Sequence, residues 1–327
     1  MSGALVPPVA TGQGSIAPSR RRMRPGRVGF LLVTLGLPLA FYLGLVVWPF
    51  IQAFGYSLTN WTGFSGNFDV IGLDNYVTLW NDEVFRRAVI NNILLVTVVP
   101  LVTITLALAL ATMLTVGGAS SGAVRGLSRS SFYRVVSFFP YTIPAIVIGL
   151  IWAQNFDPSN GLINGALTSI GLSGFESYPW LGDARTAMPV SMFVIIWAFV
   201  GFYMVLFVAA IKGIPAELYD AARVDGAGRI RMTFTITVPM IRDNVQTAYI
   251  YLGIFALDAF VYMQALNPGG GPQNSTLVMP QVLYETAFRK NQFGLASAMG
   301  VVLALLTLFF AVLVILAFRL TRGKDPR

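Results

Sequence analysis

Six long apolar stretches divide this chain, and a chain that carries them cannot fold as a water-soluble globule. They run roughly Val28–Ile51, Ile93–Val116, Val135–Ala153, Ala187–Ile211, Val245–Leu266 and Phe293–Phe318. A helix needs about 20 apolar residues to cross the hydrocarbon core, where it must satisfy its own backbone polar groups. Composition agrees. Of 327 residues, 55% are hydrophobic and 11% charged, against about 25% charged in soluble domains. The expected fold is therefore all-α and integral to the membrane, with six transmembrane helices. The membrane domain spans 28–318, between a disordered basic leader over 1–27 and a short tail over 319–327. Pro140 and Pro144 are expected to kink the third span.

Basic residues orient the spans. With the N-terminus inside, the inner segments hold five Arg in the leader and three in the second loop (Arg125, Arg129, Arg134). They also hold five basic residues over Lys212 to Arg242 and four in the tail, out of 22 in the chain. The outer loops hold only Arg86, Arg87, Arg185, Arg289 and Lys290. The positive-inside rule then places both termini in the cytosol. The formal charge of +8 reads as topology and contact with anionic headgroups, and calls for no nucleic-acid partner.

Cys and His are both absent. That removes disulfides, thiolate nucleophiles, the commonest metal ligand and the commonest general base. No G-x-x-x-x-G-K-[ST] phosphate loop occurs, and Gly269-Gly270-Gly271 lacks the Lys and the following helix. The chain has no means of hydrolysing ATP and is expected to bind no cofactor or metal.

One inner loop, residues 213–240, is charged where its flanks are apolar. Pro215 suits a first helical turn, Glu217 favours the dipole there, and Gly226 suits a left-handed cap. A helix over Ala216 to Asp225 and a second from Ala227 to about Thr237, closed by Pro239, give a helix–turn–helix. Leu218, Ala221, Ala222 and Asp225 share one side of its first helix by i, i+3, i+4, i+7 spacing.

This loop resembles the one shared by membrane subunits of bacterial ATP-binding-cassette importers. That pattern is Glu-Ala-Ala, three residues, Gly, nine residues, Ile, one residue, Leu-Pro. Here it reads Asp220-Ala221-Ala222, Gly226, Ile236 and Val238-Pro239, with every spacing kept and Asp and Val standing where Glu and Leu are usual. Further likeness to the carbohydrate-uptake group runs through Gly72-Leu73-Asp74-Asn75-Tyr76, Phe156-Asp157-Pro158 and Gly270-Gly271-Pro272. Within that group the chain resembles the first permeases of maltose-type and glycerol-phosphate-type systems.

The resemblance implies a type I importer permease in the bacterial cell membrane. Its partners would be a second homologous permease, two ATPase subunits that bind ATP and Mg, and an extracytoplasmic sugar-binding lipoprotein. The cargo would be an oligosaccharide or amino sugar. Asp220, Ala221, Ala222, Gly226, Ile236 and Pro239 would form the ATPase-coupling element, with Glu217 and Asp225 beside it.

Asp258 is the only acid inside a span, at a cost of roughly 3 kcal/mol on insertion scales. It faces either the sugar path or a helix of the partner permease. Trp197, Phe199, Phe202 and Tyr203 on the fourth span are candidate sugar-facing aromatics, although aromatic residues also serve packing and lipid contact. An ion-coupled secondary transporter stays open as the alternative. It calls for intramembrane ion or proton sites, for which one Asp and no His are poor material. A membrane enzyme ranks last, for want of paired carboxylates.

Overall fold

The structure is a computed structural model and describes residues 30, 32–64, 66–115 and 130–320. The leader 1–27, Arg125, Arg129 and the tail from residue 321 lie outside the described residues. The chain separates into two compact units, 1–52 and 53–327. The described part of the first is one apolar helix with no buried residue, the start of α1 (Leu32–Tyr56).

The described part of the second unit is built of helices and the loops that join them. Among the described residues its only β pairing is an isolated bridge between Thr59 and Val70. After the short α2 (Asp74–Asn81) comes α3 (Glu83–Thr115), 33 residues long. That is about 50 Å against a core of about 30 Å, so the helix begins well before the sequence-predicted Ile93. Its first turns carry Glu83, Arg86 and Arg87, which stay outside the apolar layer. Against α3 pack α7 (Ala187–Lys212) and α10 (Arg242–Leu257). Leu95, Val99, Ile195, Met204, Phe207 and Leu252 form the centre of the main core. A smaller core joins Leu79, Phe85 and Ala88 to Met279 of α12 (Met279–Tyr284) and to Met299 of α13 (Phe293–Leu320).

Two expected spans are broken. The third is α4 (Ser130–Phe138) with a 3-10 turn Phe139–Thr142, then α5 (Ala145–Asn155). The two arms meet at 97°, a corner rather than a kink. Pro144 excludes helical geometry from the residue before it, and Ile143 is extended (ψ 135°). The fifth bends by 49° between α10 and α11 (Phe260–Leu266), at Asp258 and Ala259. Among the described residues four helices are long and apolar enough to span, and the count reaches six when each bent pair is one span.

The second break has no Gly or Pro and is held from a distance. Asn92 donates Nδ2–H to the Leu257 carbonyl freed by the break (2.7 Å), while its Oδ1 accepts the Met279 N–H (2.7 Å). Asn91 donates to the carbonyls of Asn274 (3.1 Å) and Leu277 (2.8 Å). The two asparagines thus tie α3 to α10, α12 and the 267–278 loop. In that loop Gly269, Gly270 and Gly271 all have positive φ, so the triplet is a tight turn.

Asn92→Leu strands a buried carbonyl and a buried N–H at once. At about 1–3 kcal/mol per orphaned group, the variant is expected to lose several degrees in a thermal unfolding scan. Asn92→Asp restores only the acceptor half and should fall between.

Candidate coupling surface and translocation cavity

The charged loop folds as a helical hairpin. α8 (Ala216–Val224) starts after Pro215 and stops at Asp225. Gly226 then takes φ +77°, a region only Gly enters at little cost, and its N–H bonds to the Arg223 carbonyl (3.0 Å). The return arm is α9 (Arg229–Met232), a π turn Thr233–Thr237 and a last turn Val238–Met240. It does not close at Pro239 as expected. The widened turn bonds the Val238 N–H to the Thr233 carbonyl, which relieves the usual clash of a proline ring with the i−4 carbonyl. The chain turns at Ile241 instead.

The hairpin is fastened by a residue absent from the sequence-predicted set. Tyr219 is 1% exposed and belongs to the main core. Its hydroxyl bonds Thr237 Oγ1 (3.0 Å), tying the two arms together. Burial raises the Tyr219 pKa above its ordinary 10.0, with the Thr237 bond pulling the other way, so the phenol stays neutral at physiological pH. Ala222 and Ile236 turn inward, half-buried against the same core. Glu217, Asp220, Ala221, Asp225, Gly226 and Pro239 are exposed. Asp220 is already engaged: its Oδ1 accepts from Arg223 at 2.7 Å, one turn on. Leu218, Val224, Ile230 and Phe234 add exposed apolar surface. Exposed apolar patches with a polar rim occur at protein and membrane interaction sites. Only Leu218 of these was legible, through its spacing.

At the next level of the bundle lies a cavity of about 570 Å³. Its walls are Phe199, Phe202, Tyr203 and Leu206 of α7 and Asp243, Asn244, Thr247 and Tyr251 of α10, with Tyr141 from the corner after α4. Tyr141 stacks on Phe202 with ring centres 4.3 Å apart. Three of the sequence-predicted aromatics therefore converge. Trp197 does not: it stands edge-on to Trp152 (5.3 Å) and lines a different groove.

Asp258 does not line the cavity either. It continues the exposed stripe of α10 (Asn244, Thr247, Tyr251), about two turns beyond Tyr251, and forms no ion pair among the described residues. Tyr141, Thr247 and Asn244 escaped sequence reasoning. A polar i, i+3/i+4 stripe on an apolar helix was the available signal, diluted by inclusion of Asp243 in the inner loop.

α7 ends where the hairpin begins, and α10 starts where it ends. The hairpin is thus spliced between the two helices that wall the cavity. Among the described residues no group of His, Cys, Asp or Glu could hold a metal.

Comparison with known proteins gives the family. The profile of binding-protein-dependent transport system inner membrane components matches residues 114–327, and the chain belongs to that family. It is 57% identical over 308 residues, 94% of this chain and 87% of the other, to the diacetylchitobiose uptake system permease protein NgcF of Streptomyces coelicolor. It is 31% identical to the multiple sugar-binding transport system permease protein MsmF of Streptococcus mutans, over 84% of this chain and 88% of the other.

Among solved structures, a chain of a bacterial alginate ABC transporter superposes with TM-score 0.75 at 23% identity, covering 91% of this chain and 96% of that one. That transporter is in complex with an alginate pentasaccharide-bound periplasmic protein. The chain is accordingly a non-catalytic, multi-pass permease subunit of the bacterial cell membrane, and membership in this family decides against the ion-coupled alternative.

Proposed function

We propose that this chain imports a short N-acetylated amino-sugar oligosaccharide of the diacetylchitobiose kind, as one of two permeases driven by a separate ATPase pair. A binding protein outside the membrane delivers the sugar. The observation that carries the reading is the splice of the hairpin between α7 and α10. A push on the exposed face of α8 moves both walls of the cavity, because Tyr219 fixes the hairpin to the core that α7 and α10 share. The docking face is Glu217, Asp220, Ala221, Asp225 and Gly226 with Leu218, Val224 and Phe234. Ala222 and Ile236 set its pitch from below. Both termini and the hairpin lie in the cytosol, with six spans.

The cavity suits a sugar. Aromatic faces from Tyr141, Phe199 and Phe202 cover C–H surfaces, while Asn244, Thr247 and Asp243 meet hydroxyl and amide groups. Asp258 continues the polar stripe toward the outer side. Support for the substrate class comes from the 57% identity to the diacetylchitobiose permease.

The test is uptake of labelled N,N′-diacetylchitobiose by proteoliposomes holding the assembled transporter and its binding protein. Uptake that needs ATP and is outcompeted by unlabelled disaccharide is expected. Transport without ATP, or indifference to that sugar, contradicts the reading. In the same assay Phe202→Ala and Tyr141→Ala should each lower uptake roughly tenfold, a loss of about 1.4 kcal/mol at the transition state. Trp197→Ala, on the other side of α7, should lower it less than twofold.

A further inference from the structure

The second groove is not used by the function above. It lies between α3 and α7, holds about 770 Å³, and is open along one side. From α3 it takes Leu94, Val98 and Leu106, and from α7 Met192, Ile196 and Val200. Leu94 to Leu106 covers about 18 Å of helix, close to half of a hydrocarbon core of about 30 Å. The groove is therefore as long as one leaflet is deep.

Its upper rim is cationic. Arg87 and Arg185 both line it and both are exposed. They stand at the end of the bundle opposite the hairpin, near the starts of α3 and α7. Their charge is not neutralised by an acid among the described residues. Arg86 pairs with Glu83 (3.8 Å) and Arg289 with Glu285 (3.6 Å), whereas Arg87 and Arg185 enter no ion pair among the described residues. Ser275 also lines the groove, and its buried Oγ has no hydrogen-bond partner. Two unpaired guanidinium groups above an apolar slot ask for an anionic head on an apolar tail.

We propose that this groove binds an anionic phospholipid of the leaflet opposite the hairpin. One acyl chain lies between α3 and α7, and the phosphate is held by Arg87 and Arg185. Lipid tails are as apolar as Leu, so the slot alone gives no preference over bulk bilayer. Selectivity comes from the arginines, whose planar forks match phosphate oxygens. A helix of the second permease is the competing occupant. The rim favours lipid, since a helix in that slot would have to bring acids to both arginines at its very end.

The experiment uses the assembled transporter in detergent, titrated with phosphatidylglycerol or phosphatidylcholine and read by native mass spectrometry. Wild type should retain phosphatidylglycerol preferentially. Arg87→Gln with Arg185→Gln should weaken its binding roughly 30-fold, from the usual contribution of a basic residue at an anionic surface. Phosphatidylcholine binding should not change, and the Lys pair should restore most of the affinity. Equal retention of the two lipids, or an unaltered double Gln variant, overturns the proposal.

A second readout does not depend on those variants. The chain has no Cys, so Val98→Cys carrying a photoreactive maleimide reports the occupant directly. Phospholipid adducts are expected, and adducts to a partner polypeptide overturn the proposal. Neither readout depends on which sugar is carried, so failure here leaves the transport reading untouched.

Discussion

Tyr219→Ala is expected to give a transporter that is made and inserted but uncoupled: ATP hydrolysis persists while sugar uptake falls by roughly two orders of magnitude. The residue sits in the most hydrophilic part of the chain, yet it is among the most completely buried large side chains. Removing a buried aromatic ring costs about 3–5 kcal/mol. Nothing else of comparable size fastens α8 to the main core, since Ala222 is small and Ile236 belongs to the return arm. The cost falls on the hairpin, not on the bundle.

Tyr219→Phe separates packing from hydrogen bonding. It keeps the ring and loses only the 3.0 Å contact to Thr237, so it should cost about 1 kcal/mol and reduce uptake no more than severalfold. ATPase rate and uptake measured on the same preparations check the series. If the Ala variant transports normally, the hairpin does not transmit force through this anchor.

Gly201→Val should produce the largest loss of folded protein. A Cβ at residue 201 would run into the Ser137 carbonyl of α4. That atom is backbone and cannot rotate away, so the two helices must part. Overpacking a tight contact costs about 1–3 kcal/mol or more, and here even Ala brings the offending atom. Little Val variant should survive in the membrane, with the Ala variant intermediate. Gly165→Ala, in the short helix Leu162–Ser169 with nothing within 4 Å, should match wild type. Quantitative blotting of membrane fractions and thermal stability in detergent are the measurements. Tolerance of Val at 201 would mean that α4 does not lie where it is placed against α7.

The parts of this fold that were legible in sequence share one property: their cause is local. α7 and α13 are apolar on all sides for 26 and 28 residues, and the expected boundaries of both fall within two residues of the observed ones. Gly226 announced its turn by being the residue type a positive φ requires.

The illegible parts are caused at a distance. The break at Asp258 has no local breaker, and it exists because Asn92, 165 positions away, supplies the missing hydrogen bond. Tyr219 looks like an ordinary loop residue until Thr237 and the core close over it. Pro140 and Pro144 signalled a bend, but the 97° corner depends on where α5 docks against α11. For the candidate site, fixed spacing found the hairpin but not which of its residues face out. Of the aromatic residues singled out on α7, three line the cavity and Trp197 lines the other groove, because a helix with no polar face does not reveal which side is lined.

On the function proposed above, work done on ATP enters this subunit at the exposed face of α8. That entry point is tested most directly by a single cysteine, Ala221→Cys, in a chain that otherwise has none. The isolated chain should react with a polar maleimide at the rate of an exposed thiol. In the assembled transporter the same thiol should be protected, should form a disulfide with a cysteine placed in the facing groove of the ATPase subunit, and should lose uptake when that bond forms. Labelling of the introduced thiol in the complex as fast as in the isolated chain, with uptake intact, would contradict the account.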